Sequence, residues 1–172
     1  DSVEIIDGKV AIMYDLSGNN SHAQQANSAN RPIFKDIGLN NLPVLSFIGN
    51  QFLKAQYPTS LSQPITSFAV WKTTQSANVV CYCNYSSSLF DLQSYSNGIQ
   101  IYTSSGIGYS KPCPFDFILS TAIYNGSSSK IFENGILKAS GNVGSSSMNG
   151  ITIGATYSNT WLLRGEIAEL IF

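Results

Sequence analysis

Apolar side chains along this chain recur at strand spacing rather than helical spacing. Gly, Ser, Asn and β-branched residues interrupt every window long enough to hold three helical turns. Thr66-Ser67-Phe68-Ala69-Val70-Trp71-Lys72 and Ile99-Gln100-Ile101-Tyr102-Thr103 carry apolar or aromatic residues at strand spacing, and Ile151-Thr152-Ile153 does so over a shorter stretch. Asn-Gly stands at 97–98, 125–126, 134–135 and 149–150. That dipeptide suits two-residue hairpin turns, in which both central residues need positive φ, so four turns are expected. Ser129–Glu133, Asn134-Gly135 and Ile136–Ala139 read as a complete hairpin. Short strands with turn signals every 8–14 residues describe an all-β sandwich or barrel. Residues 15–30 are almost wholly polar and read as a long surface loop, after which Pro32 and Pro43 punctuate short apolar pieces such as Val44–Ile48. Both ends are strand-like, Val3–Ile6 and Glu166–Phe172, and are expected to pair or to lie close in one sheet. The last strand is apolar on both faces, which suits a central position.

The 172 residues suit one domain, long enough to bury roughly 70% of the unfolded surface. With 43% hydrophobic residues and a mean hydropathy of +0.03 the chain is not of disordered composition. Only 11% is charged, against roughly 25% in ordinary soluble domains. In place of charge stand 26 Ser, 15 Asn and 9 Thr. The net charge of −1 and the lack of any Lys/Arg cluster remove the electrostatic footprint of a nucleic-acid or anionic-membrane binder. No apolar run is long enough for a spanning helix, which excludes direct helical membrane insertion. The sequence starts Asp1-Ser2-Val3-Glu4, without Met or the basic start of a signal peptide, and is expected to be a processed protein or a module of a longer one.

Three cysteines, Cys81, Cys83 and Cys113, are an odd number, so at least one thiol is free or pairs outside the chain. Cys81 and Cys83, two apart in a strand, are expected on one face. They either serve with Cys113 as small buried hydrophobes or leave one of the pair to bridge to Cys113. Their spacing fits no zinc pattern. Sequons at Asn19, Asn84 and Asn125 carry no inference in a chain this rich in Asn and Ser.

An ordered set of motifs carries a resemblance. Asp15-Leu16-Ser17-Gly18-Asn19-Asn20-Ser21-His22-Ala23 is followed by Leu42-Pro43-Val44-Leu45-Ser46-Phe47-Ile48-Gly49 and Gln51-Phe52-Leu53. Toward the far end stand Phe132–Ala139, Ile151-Thr152-Ile153-Gly154-Ala155 and Leu163-Arg164-Gly165-Glu166-Ile167-Ala168-Glu169-Leu170-Ile171. Together they resemble the concanavalin A-like lectin and glucanase superfamily, in its laminin-G-like branch, with residues 75–120 matching only in general strand character. The resemblance implies an antiparallel two-sheet jelly-roll β-sandwich over residues 1–172. It also implies a superfamily that binds carbohydrate or protein partners outside the cell or on virus particles, and that includes glycoside hydrolases and polysaccharide lyases. Fold alone leaves function open.

Catalysis on this scaffold would take paired carboxylates on one face. The family's Glu-x-Asp-x-x-Glu pattern is missing, and Glu166 and Glu169, three apart, fall on opposite faces of a regular strand. Asp91 and Asp116 are isolated acids. The lyase branch uses Arg, His, Gln and Tyr on the sheet, whereas only Arg31, Arg164 and His22 are present, with His22 in a polar loop that it is expected to pin. No enzyme is expected. Jelly-roll relatives often hold calcium, for which Asp15, Asn19 and Asp36 are the candidate ligands; the alternative for Asp15 is to cap turn amides. No other cofactor is expected.

Sugar recognition needs an aromatic platform for the apolar ring face and amides or hydroxyls for its edges. Tyr157, Asn159 and Trp161, with Tyr95, Asn97 and Tyr109, supply that chemistry in loops and strand ends. The bland alternative makes Trp161 a core cap. The sequence thus points to a non-catalytic carbohydrate-binding domain, a lectin-like or adhesion module for a cell-surface glycan, on the outside of a cell or virion. The rival is a structural or host-attachment domain of a phage or virus surface, with a protein partner or a homo-oligomer in a larger assembly. A glycan-active enzyme is third.

Overall fold

The computed structural model describes residues 2–75, 78–87 and 89–172. Those residues form sixteen strands and three short 3-10 turns: β1 (Val3–Ile6), β2 (Lys9–Met13), β3 (Ala23–Gln24), β4 (Ile33–Lys35), β5 (Val44–Ile48), β6 (Leu53–Leu61), β7 (Ile65–Thr73), β8 (Val79–Asn84), β9 (Asp91–Tyr95), β10 (Gly98–Tyr102), β11 (Gly106–Ser110), β12 (Phe115–Tyr124), β13 (Ser129–Glu133), β14 (Ile136–Gly141), β15 (Met148–Ile153) and β16 (Arg164–Ile171). All pair antiparallel in one path, β11-β10-β9-β8-β15-β6-β3-β2-β4-β5-β16-β7-β12-β13-β14, with β1 added on β2. The path nearly closes, since a Cβ on Gly141 of β14 would come within 2.9 Å of Ile107 in β11.

The sheet folds over one core. β7 alternates strictly, with Ile65, Ser67, Ala69, Trp71 and Thr73 buried and the residues between them facing out. Tyr82 of β8 reaches across to bond Ser67 of β7 and the Tyr124 hydroxyl of β12, the latter at 2.9 Å. Trp71, wholly buried, donates its indole N–H to Ser120 at 3.0 Å. Taking such a ring fully out of water stabilises the fold by on the order of 5 kcal/mol.

The 129–139 hairpin forms as read, with Asn134 and Gly135 at φ 50° and 80°. The other three Asn-Gly pairs behave differently. At 97–98 the turn slips back one residue: Ser96 and Asn97 take φ 47° and 61°, and Gly98 opens β10. Asn125 enters a 3-10 turn over Gly126–Ser128, fixed by Gln63 accepting from the Gly126 N–H at 2.7 Å. Asn149-Gly150 lies inside β15 at a register shift, where backbone of β6 leaves Gly150 no room for a side chain. A hairpin turn not singled out above, Asp7-Gly8 at φ 51° and 73°, joins β1 to β2.

The terminal strands share the sheet without pairing. β16 is central, between β5 and β7, while β1 pairs only with β2. Bulges overturn two parity expectations. A shift between Val80 and Tyr82 turns Cys81 into the core and leaves Cys83 on the outward side, paired with Thr152. All three thiols are free, and Cys113 lies against the Ser94 hydroxyl at 2.8 Å. A shift between Ile167 and Glu169 sets Glu166 opposite Lys72 and Glu169 opposite Val70. Lys72 and Val70 are two apart on β7, so the two glutamates share a face rather than opposing each other.

Candidate functional site

The core side of β9 and β10 is set by Leu92, Ile99 and Ile101, all buried in the central cluster. Alternation therefore places Asp91, Gln93 and Tyr95 of β9 and Gln100 and Tyr102 of β10 on the outward side. The ladder sets Gln93 beside Gln100 and Asp91 beside Tyr102. The Gln93 amide donates to the Gln100 carbonyl at 3.1 Å. Across β8 and β15 the same side carries Cys83, Thr152 and Lys54 in register. A polar row thus crosses this half of the sheet.

One loop drapes over the row. Gly154, at φ 81°, turns the chain out of β15 and donates to Cys81 O at 2.8 Å, and Leu163 returns to donate to Gly154 O at 2.8 Å. Between them Asn159 donates its N–H to Thr156 O and the Thr156 N–H donates to Thr160 O, both at 2.9 Å, while Lys54 donates to Tyr157 O at 2.7 Å. Val80 N–H donates to Trp161 O at 3.0 Å, so the loop lies across β8.

The consequence is a stacked aromatic pair. Tyr95 and Trp161 lie with centroids 5.7 Å apart and planes 22° from parallel. They are 43% and 41% exposed. Trp161 holds φ 47°, a region that costs an L-residue about 1–2 kcal/mol. Strain of this kind is tolerated where the surrounding bonds impose it, and it clusters at binding sites. Beside the pair a shallow depression of about 320 Å³ is lined by Tyr95, Asn97 and Gln100, over a floor of Gly98 and Gly108. A Cβ on either glycine would come within 2.6 Å of a backbone carbonyl of the neighbouring strand.

The row itself is buried, with Asp91, Gln93, Cys83 and Thr152 all at most 5% exposed. Asp91 is nearly fully buried and burial pushes its carboxyl up to about 6, against a weaker opposing bond from Cys83. Asp91 Oδ1 and Gln93 Oε1 have no hydrogen-bond partner among the described residues. Desolvation lowers Lys54, and burial raises the Cys83 thiol well above its ordinary range.

Of the residues singled out by sequence, Tyr95, Asn97 and Trp161 meet at this platform. Tyr157 and Asn159 belong to the draped loop, Tyr157 being 40% exposed and Asn159 at φ 61°. Tyr109 differs: it pairs with the core residue Ile99, its ring packs against the core, and its hydroxyl donates to Glu133 at 2.6 Å. Asp91, Gln93, Gln100 and Lys54 were not singled out, and the alternation Asp91-Leu92-Gln93-Ser94-Tyr95 was the available signal.

The loop after β2 is closed by Asp15. Its carboxylate accepts from Ser17 N at 2.8 Å and Ser21 N at 3.0 Å, and the bonds to Ser17 hold its pKa below the usual range. His22 accepts from Asp15 N at 3.0 Å and pins the same loop. Asn19 bonds Ser17, and Asp36 is exposed beyond β4. No group of three or more His, Cys, Asp or Glu suited to a metal occurs among the described residues. Burial raises Glu166, but bonds to Lys35 and to Lys72 (2.9 Å) outweigh it and hold the carboxyl below its usual range.

No family model and no curated protein matches the chain. Solved structures do match in fold. Domain 4 of AbnA, an extracellular arabinanase from Geobacillus stearothermophilus solved with arabinotriose, is 13% identical over 81% of this chain and 73% of its own, with a TM-score of 0.59. An arabinofuranosidase complexed with arabinofuranosyl-α-1,2-xylobiose is 16% identical over 94% of this chain but 46% of its own length, at 0.60. The alginate lyase AlgAT5 of polysaccharide lyase family 7 is 13% identical over 95% and 93%, at 0.53. At these identities the similarity is one of fold alone.

Proposed function

We propose that this chain is a non-catalytic glycan-recognition domain, a laminin-G-like two-sheet jelly roll acting outside the cell, with its sugar site at Tyr95 and Trp161. The observation that carries the reading is the strained, two-fifths-exposed Trp161 stacked on Tyr95 beside the Gln93–Gln100 amides. An aromatic face for the C–H side of a sugar ring, with the accessible amides of Asn97 and Gln100 at its edge, is the chemistry that neutral oligosaccharides require. Arabinotriose bound to AbnA domain 4 supports beginning with pentose oligosaccharides.

Tryptophan emission tests the site directly, because Trp71 is fully buried and only Trp161 is open to solvent. Arabino- and xylo-oligosaccharides are expected to protect the emission from acrylamide quenching. Unchanged quenching at millimolar sugar, across both series and a hexose series, would count against the platform.

A second reading, a structural or host-attachment domain of a phage or virus surface, is favoured by a different observation. The face of β7, β13, β14 and β16 opposite the core carries Phe68, Leu137 and Ile171, 41%, 50% and 47% exposed, with Phe68 and Ile171 paired across the ladder. Exposed apolar residues grouped on one face suit contact with another protein. A concentration-dependent solution mass, abolished by Phe68→Ser, is its expected signature.

A further inference from the structure

The aromatic pair stands at one end of a longer line of outward-facing residues. The ladder sets Tyr95 of β9 opposite Gly98 of β10, and Gly98 opposite Ser110 of β11. Ile99 and Ile101 of β10 belong to the core, so Gly98 and Gln100, with Ser110 and Gly108 opposite them, share the outward side with Tyr95. Trp161, whose carbonyl accepts from the Val80 N–H of β8, begins the same line. It runs across β8 to β11 as two aromatic rings followed by Gly98 and Ser110.

Glycine weakens a strand interior, and there it often marks a bulge or the close approach of a ligand or another backbone. The register between β10 and β11 is unbroken, so no bulge accounts for Gly98 and Gly108. Their bare Cα atoms let the two strands close up and leave a flat floor, with Gly108 and Ser110 exposed. The amide beside that floor is held in place. Gln100 accepts from Gln93 at 3.1 Å through its carbonyl, and its amide nitrogen lies over Gly106, where a Cβ would overlap it. Asn97 lines the same depression, and no charged side chain does so among the described residues.

Neighbouring strands lie about 4.8 Å apart, close to the advance of one sugar unit along an extended chain. Two such steps separate Tyr95 from Ser110, which leaves room for two units beyond the one stacked on the rings. Resting on the glycan reading of Tyr95 and Trp161, we infer that the site takes an extended neutral oligosaccharide of at least three units laid across β9, β10 and β11. The first unit sits on the aromatic pair, and the next two lie on the glycine floor beside Asn97, Gln100 and Ser110.

Xylobiose, xylotriose, arabinobiose and arabinotriose are the probes, each titrated against the intact chain by the emission of Trp161. In the preferred series the trisaccharide is expected to bind at least fivefold more tightly than the disaccharide. Ser110→Leu places a branched side chain on the floor at an exposed position of β11. With a thermal melt matching that of the parent chain, it is expected to cut the ratio to below twofold. Di- and trisaccharides that bind the parent chain alike in both series overturn the inference and leave the platform standing, as does a ratio that Ser110→Leu leaves unchanged. No response to any of the four sugars overturns the platform reading and this inference with it.

Discussion

Trp161 and Asp91 show how much a single side chain can carry here. Trp161 keeps two-fifths of its ring in solvent from a strained backbone. Trp161→Ala is therefore expected to abolish sugar binding while changing stability by no more than about 1 kcal/mol, since surface substitutions rarely cost more. A core cap would lose about 3–5 kcal/mol on the same change, and a urea melt separates the two. Asp91 makes a pH-dependent contribution. Its folded pKa of about 6 lies above the ordinary 3.8, so burial costs nothing while both states are protonated. As pH rises between those values the unfolded state ionises first and stability falls, by on the order of 3 kcal/mol once both are passed. Asp91→Asn is expected to stabilise the fold at pH 8 and to have no such effect at pH 3.5, as read by urea melts at each. At this scale the aromatic and amide residues of the platform were legible, because their chemistry is visible without a fold. Asp91, Gln93 and Gln100 were not, since only the ladder between β9 and β10 sets them side by side.

Strands were legible where apolar residues recur at strand spacing, as in β7, and turns where Asn-Gly is flanked by two strand-like runs, as at 134–135. They were misread where one extra residue enters a strand. The bulges at 80–82 and 167–169 reverse the facing of everything beyond them, and nothing in the pattern of apolar residues marks them. That is why Cys81 and Cys83 part and why Glu166 and Glu169 come to one face. The facing of Tyr109 was open to inspection, since Gly106, Gly108 and Ser110 occupy the other side of β11. Gly154 joins element to site. It sits at φ 81°, and a Cβ there would overlap the Phe47 ring. Gly154→Ala is expected to cost at least about 2 kcal/mol through left-handed strain and overpacking. Any sugar binding should weaken with it as the draped loop shifts, a loss that thermal melts and quenching report together.

At the scale of the whole molecule, composition and strand patterning sufficed for an all-β class, while the near-closure of the sheet emerges only when sixteen strands are placed in order. The outward side of β8 to β10 is polar because its strands alternate polar with apolar residues. A nearly neutral surface rich in Ser and Asn suits hydroxylated ligands that carry no charge. The most direct measurement is a glycan array probed with the multivalent domain, since single weak sites gain from avidity, alongside the Trp161→Ala variant shown to be folded. Binding to a related set of neutral glycans, lost in the variant, is the predicted result; silence across the array, or a binding pattern identical in the variant, would contradict a sugar site at Tyr95 and Trp161.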